Sequence, residues 1–282
     1  MVRRGRDAPS HFISRRRGTT NCMALIPVDK NRYLIKSAGP EKISGKWKEL
    51  IDEIVATCKA HLREKLISVY VGGSVALGEA KEYKSDVDTY AIVSMNDLEA
   101  KDAETNWVKS EIERLNKKFP FQRGVEILLK PLDSLHLRKK FQMKVIAAHV
   151  YGKDFDSEIG PFKLDKETLK SIRYLPENEI KSAKRKLELF NTSEKIKETA
   201  IWISKRLVRG GGTLVLWEQD FYTMDVNVLA NLFIERYSNK ANEMKTALNW
   251  ITNAPENKQE VLDFLDSFGS WLIEEDNRIF GI

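Results

Sequence analysis

The chain has 282 residues, of which 42% are hydrophobic and 31% are charged. This composition is that of a globular protein with one large or two modest domains, and no apolar run approaches the roughly 20 residues that a membrane-spanning helix needs. The two cysteines, Cys22 and Cys58, do not make a disulfide framework, so we expect a reducing compartment, the cytoplasm.

The net charge of +6 comes almost entirely from the N-terminus. Residues 1–22 contain six arginines and one acid, and the rest of the chain is close to neutral. A neutral body argues against a protein that binds nucleic acid over its whole surface. Residues 1–35 are predicted to be a basic, disordered arm. An RNA-binding tail and a transit peptide are alternatives, but we favour a dispensable leader with Met23 as the true start.

The first predicted elements surround a pair of glycines. Apolar residues recur at intervals of three and four over residues 41–62 and predict a helix. Leu66–Val71, rich in β-branched and aromatic residues, predicts a buried strand. Gly72 and Gly73 end that strand and let the backbone come close to a ligand. A short helix is predicted to begin at Ser74, whose hydroxyl and neighbouring N–H groups suit phosphate oxygens.

Two aspartates open the next predicted strand, residues 86–93. Because side chains alternate along a strand, Asp86 and Asp88 point to the same face. Two carboxylates on one face repel each other unless a cation lies between them, and Mg²⁺ prefers oxygen ligands shared with substrate phosphates. A helix is predicted over residues 98–119, before Pro120.

The third predicted strand, residues 124–130, has a single acid in an apolar run. Burying an isolated acid is costly unless it is paired or bound to a metal. We therefore place Glu126 beside the aspartates on a neighbouring strand, where the three acids would hold two metal ions. An exposed strand acid is the alternative for Glu126.

Gly73-Ser74, Asp86-x-Asp88 and Glu126, in this order and strand context, resemble the nucleotidyltransferase motif of the DNA polymerase beta superfamily. Within it, the pattern is similar to the streptomycin/spectinomycin-type aminoglycoside adenylyltransferases. The resemblance spans residues 66–130. It implies that the nucleotide is bound by Gly73, Ser74 and Ser85. It also implies that Asp86 and Asp88 bind Mg²⁺ and that Glu126 is a third metal ligand or the general base. An ordinary turn followed by an ordinary strand is the alternative for the motif.

The predicted fold class is α+β, in two domains. Residues 36–160 would form a nucleotidyltransferase-type mixed sheet with helices, including a helix over residues 135–150 and a closing edge at residues 151–154. Residues 161–282 show helical periodicity throughout and predict an all-α bundle of about five helices. Glycines at residues 210–212 are predicted to break one of them.

The cleft between the two predicted domains is the expected ligand site. Lys205, Arg206 and Arg209 share one predicted helix, and we expect Arg206 to bind phosphate in the cleft. A solvated basic face is the alternative for this helix.

These residues predict an enzyme that uses two Mg²⁺ ions to transfer a nucleotidyl group from an NTP to an acceptor hydroxyl, releasing pyrophosphate. The resemblance implies ATP as donor and a small acceptor such as an aminoglycoside. One alternative is a nucleotidyltransferase that modifies a protein or tRNA, as in toxin–antitoxin systems. The other is a noncatalytic nucleotide-binding module, although such a module need not keep three acids. The sequence does not fix the oligomeric state.

Overall fold

The computed structural model describes residues 25–281, and the strands in this range form two sheets. The strands are β1 (Ile26–Pro27), β2 (Leu66–Val71), β3 (Val87–Val93), β4 (Val125–Pro131), β5 (Ala148–Gly152) and β6 (Phe221–Tyr222). The larger sheet has the order β4-β3-β2-β5. β3 and β4 are parallel, and β2 is antiparallel to both β3 and β5. β1 and β6 form a separate antiparallel pair, so the predicted mixed sheet is confirmed.

Helices make up most of the remaining chain and follow the predicted periodicity. The α-helices of the described range are α1 (Gly45–Leu62), α2 (Gly73–Leu77), α3 (Asp97–Ala103), α4 (Lys109–Lys118), α5 (Leu137–Phe141), α6 (Lys166–Ile172), α7 (Pro176–Leu189), α8 (Ser193–Leu216), α9 (Val226–Arg236), α10 (Ala241–Trp250), α11 (Lys258–Phe264) and α12 (Ser270–Phe280). Single π-helical turns join α3 to α4 and α11 to α12. None of these helices combines the length and apolarity that crossing a membrane requires.

The sheet separates two sets of packed side chains, one on each face. Val87 and Ala91 of β3 belong to the core that also contains Leu50 and Ile54 of α1. Side chains at the alternate positions face the other way, where Tyr90 joins a second cluster with Met143, Phe155 and Ile159. Asp88 shares the face of Tyr90 because strand side chains alternate with period two. The acids therefore lie on the face that turns towards the helical region.

The helix predicted over residues 135–150 is confirmed only in part, because the helical segment ends at Ile146 and a strand follows it. α5 ends at Phe141, a π-helical turn covers Gln142–Ile146, and β5 begins at Ala148. β5 pairs with β2 at the edge of the sheet. A short apolar run fits both helical and strand periodicity, and the open edge of β2 decides here in favour of a strand.

Part of the predicted disordered arm is ordered. Ile26 and Pro27 pair with Tyr222 and Phe221. The Arg32 guanidinium then donates hydrogen bonds to the carbonyl oxygens of Leu164 (2.9 Å), Trp217 (2.7 Å) and Gln219 (2.8 Å). Buried carbonyl groups need such donors, so residues 25–34 are fixed to the helical region. The rest of the predicted arm, residues 1–24, lies outside the described residues.

The predicted break at Gly210-Gly211-Gly212 is also wrong, because α8 continues through all three glycines. A Cβ atom on Gly211 would lie 2.5 Å from Met244 Cε, and one on Gly212 would lie 2.5 Å from Leu229 Cβ. The glycines let α9 and α10 pack closely against α8. This packing offsets the roughly 1 kcal/mol that each glycine costs inside a helix.

Gly212→Ala is expected to destabilise the protein by about 2 kcal/mol, because its methyl group would overlap Leu229 in a packed core. Gly210→Ala is the matched control, since the nearest atom to its Cβ would be Leu272 Cδ2 at 3.6 Å. This control should be neutral or stabilise by up to about 1 kcal/mol. Urea unfolding of the two variants measures the difference, and equal stabilities would contradict the packing argument.

Candidate active site

The turn after β2 brings its backbone directly against an acid of β3. Gly73 has a φ of +67°, and a Cβ atom there would lie 3.2 Å from Asp88 Oδ2. Glycine suits this position because other residues rarely adopt such a φ. Ser74 Oγ donates a hydrogen bond to Ser85 Oγ (3.0 Å), which also accepts one from the Lys81 backbone N–H (2.9 Å). Both predicted serines therefore lie at this corner.

The three predicted acids lie at the start of the two parallel strands. Asp88 of β3 and Glu126 of β4 are register partners, so their side chains share a face. Asp88 is half-buried, whereas Glu126 is exposed, contrary to the expected buried acid. Asp86 directly precedes β3 and accepts a hydrogen bond from Arg123. The exposed end of β4 leaves Glu126 accessible to a bound molecule.

Asp88 is the acid that the surrounding structure perturbs most clearly. Burial raises the pKa of Asp88 to about 6, and the negative charges of Asp86 and Glu126 act in the same direction. A hydrogen bond with Glu126 raises the Asp88 pKa further, whereas the positive charge of Lys139 lowers it. Two neighbouring carboxylates cannot both ionise without cost, so this pair favours a shared proton or a shared cation.

The donor set of this pair fits a divalent cation, because oxygen ligands of like charge are what Mg²⁺ neutralises. Within residues 25–281, however, no three His, Cys, Asp or Glu side chains are grouped closely enough to hold a metal ion. Asp86 turns to Arg123, while Asp88 and Glu126 hydrogen-bond each other. Asp88 and Glu126 are thus the two acids of the predicted three that the structure joins.

A buried lysine lies over the same sheet face, and the sequence-based prediction missed it. Lys139 of α5 is only 8% exposed, and its Nζ is 3.5 Å from the centroid of the Tyr90 ring. Burial lowers the pKa of Lys139 to about 8, Lys130 lowers it as well, and Asp88 and Glu126 oppose these effects. Lys139 lies in a basic run, Arg138-Lys139-Lys140, which no sequence pattern distinguishes from a solvated helix face.

A cavity of about 210 Å³ lies between the sheet and the helical region. It is lined by Gly73, Asp88, Tyr90, Tyr174 and Arg209, with five further residues. Burial and the charge of Arg206 lower the pKa of Arg209, whereas Tyr174, Tyr222 and Asp88 raise it. Arginine stays charged even so. Its Nε atom is buried without a hydrogen-bond partner among the described residues, so a cation borders this cavity.

Arg206, the predicted phosphate ligand, is engaged elsewhere. Its guanidinium stacks on the Tyr174 ring at 3.8 Å, and its Nε lies 3.4 Å from Glu179 Oε2. Its Nη1 atom is buried without a partner in the described part of the chain, but Arg206 does not line the cavity. Among the basic residues of α8, Arg209 therefore lies closer to the acids than the predicted Arg206 does.

Lys205 of the same helix faces the charges at the start of β3. Burial, Arg123 and Arg209 lower the pKa of Lys205, and Asp86 acts in the opposite direction. Together with Lys139 and Arg209, it surrounds the acids with positive charge. A site that combines acids, cations and a close backbone turn can bind a polyanion together with its metal ion.

Comparison with known proteins identifies the part of the chain that carries this site. Residues 51–154 match the model of the nucleotidyltransferase domain family. This segment is similar to nucleotidyltransferase domains. The match includes the Gly73-Ser74 turn and all three acids. No curated protein matches the chain in sequence.

One solved structure that resembles the chain is a spectinomycin adenyltransferase, AAD(9), from Enterococcus faecialis with ATP and spectinomycin. The identity is 12% and the TM-score is 0.48, with 79% of this chain and 98% of that chain covered. A likeness this distant carries no evidence about what this chain binds or does.

Proposed function

We propose that the chain transfers the adenylyl group of ATP to a hydroxyl of a small acceptor, with Mg²⁺ and release of pyrophosphate. The observation that supports this most is the pairing of Asp88 with Glu126 across parallel strands, beside the Gly73 turn. These residues lie within the segment that matches the nucleotidyltransferase domain family. An aminoglycoside is one acceptor class to test. Residues 36–160 and 161–282 would be the two domains that close on the substrates.

The residues of the site divide the tasks of this reaction among them. Gly73 lets the backbone reach the triphosphate, and Ser74 and Ser85 offer hydroxyl groups to it. Arg209 and Lys205 balance the phosphate charge from α8. Glu126 takes the proton from the acceptor hydroxyl because it is the exposed acid of the pair. The hydroxyl oxygen then bonds to the α-phosphorus as the bond to pyrophosphate breaks.

Asp86, Asp88 and Glu126 would hold the Mg²⁺ ions. When bound, these ions would stabilise negative charge on the entering and leaving oxygens of the displacement. For Asp86 this requires release from Arg123, which the half-exposed position of both side chains allows.

Pyrophosphate release from Mg-ATP in the presence of candidate acceptors tests the proposal. The panel contains aminoglycosides, neutral polyols and sugar phosphates, and a parallel reaction with α-³²P-labelled ATP contains cell lysate. Acceptor-dependent pyrophosphate release is the expected result. Label on a protein or tRNA would favour the macromolecular alternative, and release of ADP with inorganic phosphate would contradict nucleotidyl transfer.

A further inference from the structure

A second pocket lies at the opposite end of β4 from Glu126. Its volume is about 350 Å³, and its walls come from α3 and the following π turn, the end of β4 and the start of α5. Three lysines, Lys101, Lys130 and Lys139, line it together with His136 and Ser134. It is therefore separate from the cavity beside Gly73, and the proposed roles do not use it.

The lysines of this pocket have no acid at ion-pair distance among the described residues, although Asp97 and Glu104 line the same pocket. Neither Lys130 nor Lys139 forms an ion pair within residues 25–281. A lysine that is 8% exposed and unpaired is costly. Burial lowers the pKa of His136, and Arg138, Lys139 and Lys130 lower it further. Positive potential therefore dominates the α5 side of the pocket.

Two acids occupy the opposite wall and reduce the net charge. Asp97 accepts a hydrogen bond from Ser134 Oγ (3.0 Å), and Glu104 lies on the π turn between α3 and α4. With three lysines and two acids, the pocket has a net positive charge while His136 is neutral. His136 Nδ1 accepts from the Lys139 backbone N–H (3.3 Å), which assigns the ring proton to Nε2 and makes that atom a hydrogen-bond donor.

The pocket and the proposed general base share one face of β4. Glu126 and Lys130 are an even number of residues apart, so both side chains point to the same face, and their Cα atoms are about 13 Å apart. Lys139 lies near both ends of this stretch of β4. Its ammonium group packs over the Tyr90 ring and interacts electrostatically with both Glu126 and Lys130. A molecule of two linked rings could contact Glu126 at one end and the lysines at the other.

We propose that this pocket binds an anionic group of the acceptor, phosphate in the simplest case, while the acceptor hydroxyl lies at Glu126. This inference rests on the proposed function and narrows its substrate class to small anionic hydroxyl compounds. A polycation such as an aminoglycoside would instead meet Lys130, Lys139 and Arg123 on its way to Glu126, and like charges in contact disfavour binding.

Binding of inorganic phosphate tests the pocket without turnover. Phosphate is titrated by ³¹P NMR while Mg²⁺ and a non-hydrolysable ATP analogue saturate the triphosphate site. Lys130→Gln should weaken phosphate binding about five- to tenfold, because one charge-assisted contact is lost. Glu104→Gln should tighten it about two- to threefold, because a repulsive charge is removed. Lys140→Gln, an exposed neighbour outside the pocket, should change it less than twofold.

The same titration overturns the inference if phosphate does not bind, or if Lys130→Gln and Lys140→Gln behave alike. In the transfer reaction, phosphate should inhibit competitively against the acceptor but not against ATP. Inhibition against ATP alone would place phosphate at the triphosphate site and would also overturn the inference. Nucleotidyl transfer is scored independently by pyrophosphate release, so a failure of this pocket and a failure of the proposed function are distinguishable.

Discussion

Asp88→Asn is expected to lower nucleotidyl transfer at least about a thousandfold while stabilising the metal-free protein. The loss follows because the amide cannot supply the negative charge that holds a cation opposite Glu126. The gain follows because the carboxylate is half-buried beside Asp86 and Glu126, and an amide can donate a hydrogen bond to Glu126. Steady-state pyrophosphate release and thermal unfolding in a chelator measure the two effects.

The stabilisation should depend on pH in a defined direction. Asp88 has a pKa of about 6 in the folded protein against 3.8 for the free group, so folding favours its protonated form. This contribution is fully present below about pH 4 and is lost as the pH rises through 6. Above that, the half-buried charge costs on the order of 3 kcal/mol, and Asp88→Asn should raise Tm by about 7 °C.

Asp133→Asn is the control for Asp88→Asn, because Asp133 is an exposed acid in the turn that follows β4. Asp133→Asn should change Tm by no more than about 1 °C at both pH 4 and pH 8, as most exposed substitutions do. A Tm gain for Asp88→Asn that is the same at pH 4 and pH 8 would contradict the electrostatic origin. An active Asp88→Asn variant would remove Asp88 from the catalytic site.

Arg209→Gln is expected to lower kcat/KM for ATP about a hundredfold, because a half-buried cation beside the phosphates is lost. Its Nε atom has no partner in the described structure, so the same change should cost little stability. Arg206→Gln should show the reverse pattern. It removes the stacking on Tyr174 and the contact with Glu179, so Tm should fall while kcat/KM changes less than tenfold.

Kinetics with ATP as the varied substrate, together with Tm values, separate these two arginines. Arg209→Lys should recover part of the activity, since it keeps the charge but loses the planar fork of donors. If Arg206→Gln proves the more damaging variant for catalysis and Arg209→Gln the less damaging one, the sequence-based choice of Arg206 was right and the cavity does not receive the phosphates.

The fold could be predicted wherever local chemistry and tertiary packing agree. The prediction of a strand at Leu66–Val71 is confirmed. Its β-branched residues indicate the strand, and the two glycines that follow indicate where it ends. β5 was missed because its few apolar residues match helix and strand periods equally, and only the edge of β2 selects the strand. The glycines of α8 were predicted to break a helix, but contacts with Leu229 and Met244 explain their presence inside it.

The sequence predicts those parts of the candidate site that depend on the spacing of residues within one short segment of the chain. Gly73, Asp88 and Glu126 come from motifs at strand ends, and the parallel register of β3 and β4 brings the two acids together. Lys139 and Arg209 were not selected, because their positions depend on how α5 and α8 pack over the sheet. The burial expected for Glu126 was wrong, since it lies at the exposed start of β4.

Binding of Mn²⁺, observed by electron paramagnetic resonance, tests most directly whether these acids hold a metal–nucleotide complex. The protein is titrated with Mn²⁺ in the presence and absence of a non-hydrolysable ATP analogue, alongside Asp88→Asn and Asp133→Asn. We predict that the analogue strengthens Mn²⁺ binding to the wild type and to Asp133→Asn, and that Asp88→Asn loses this enhancement. Equal, analogue-dependent Mn²⁺ binding by Asp88→Asn would contradict the proposed site.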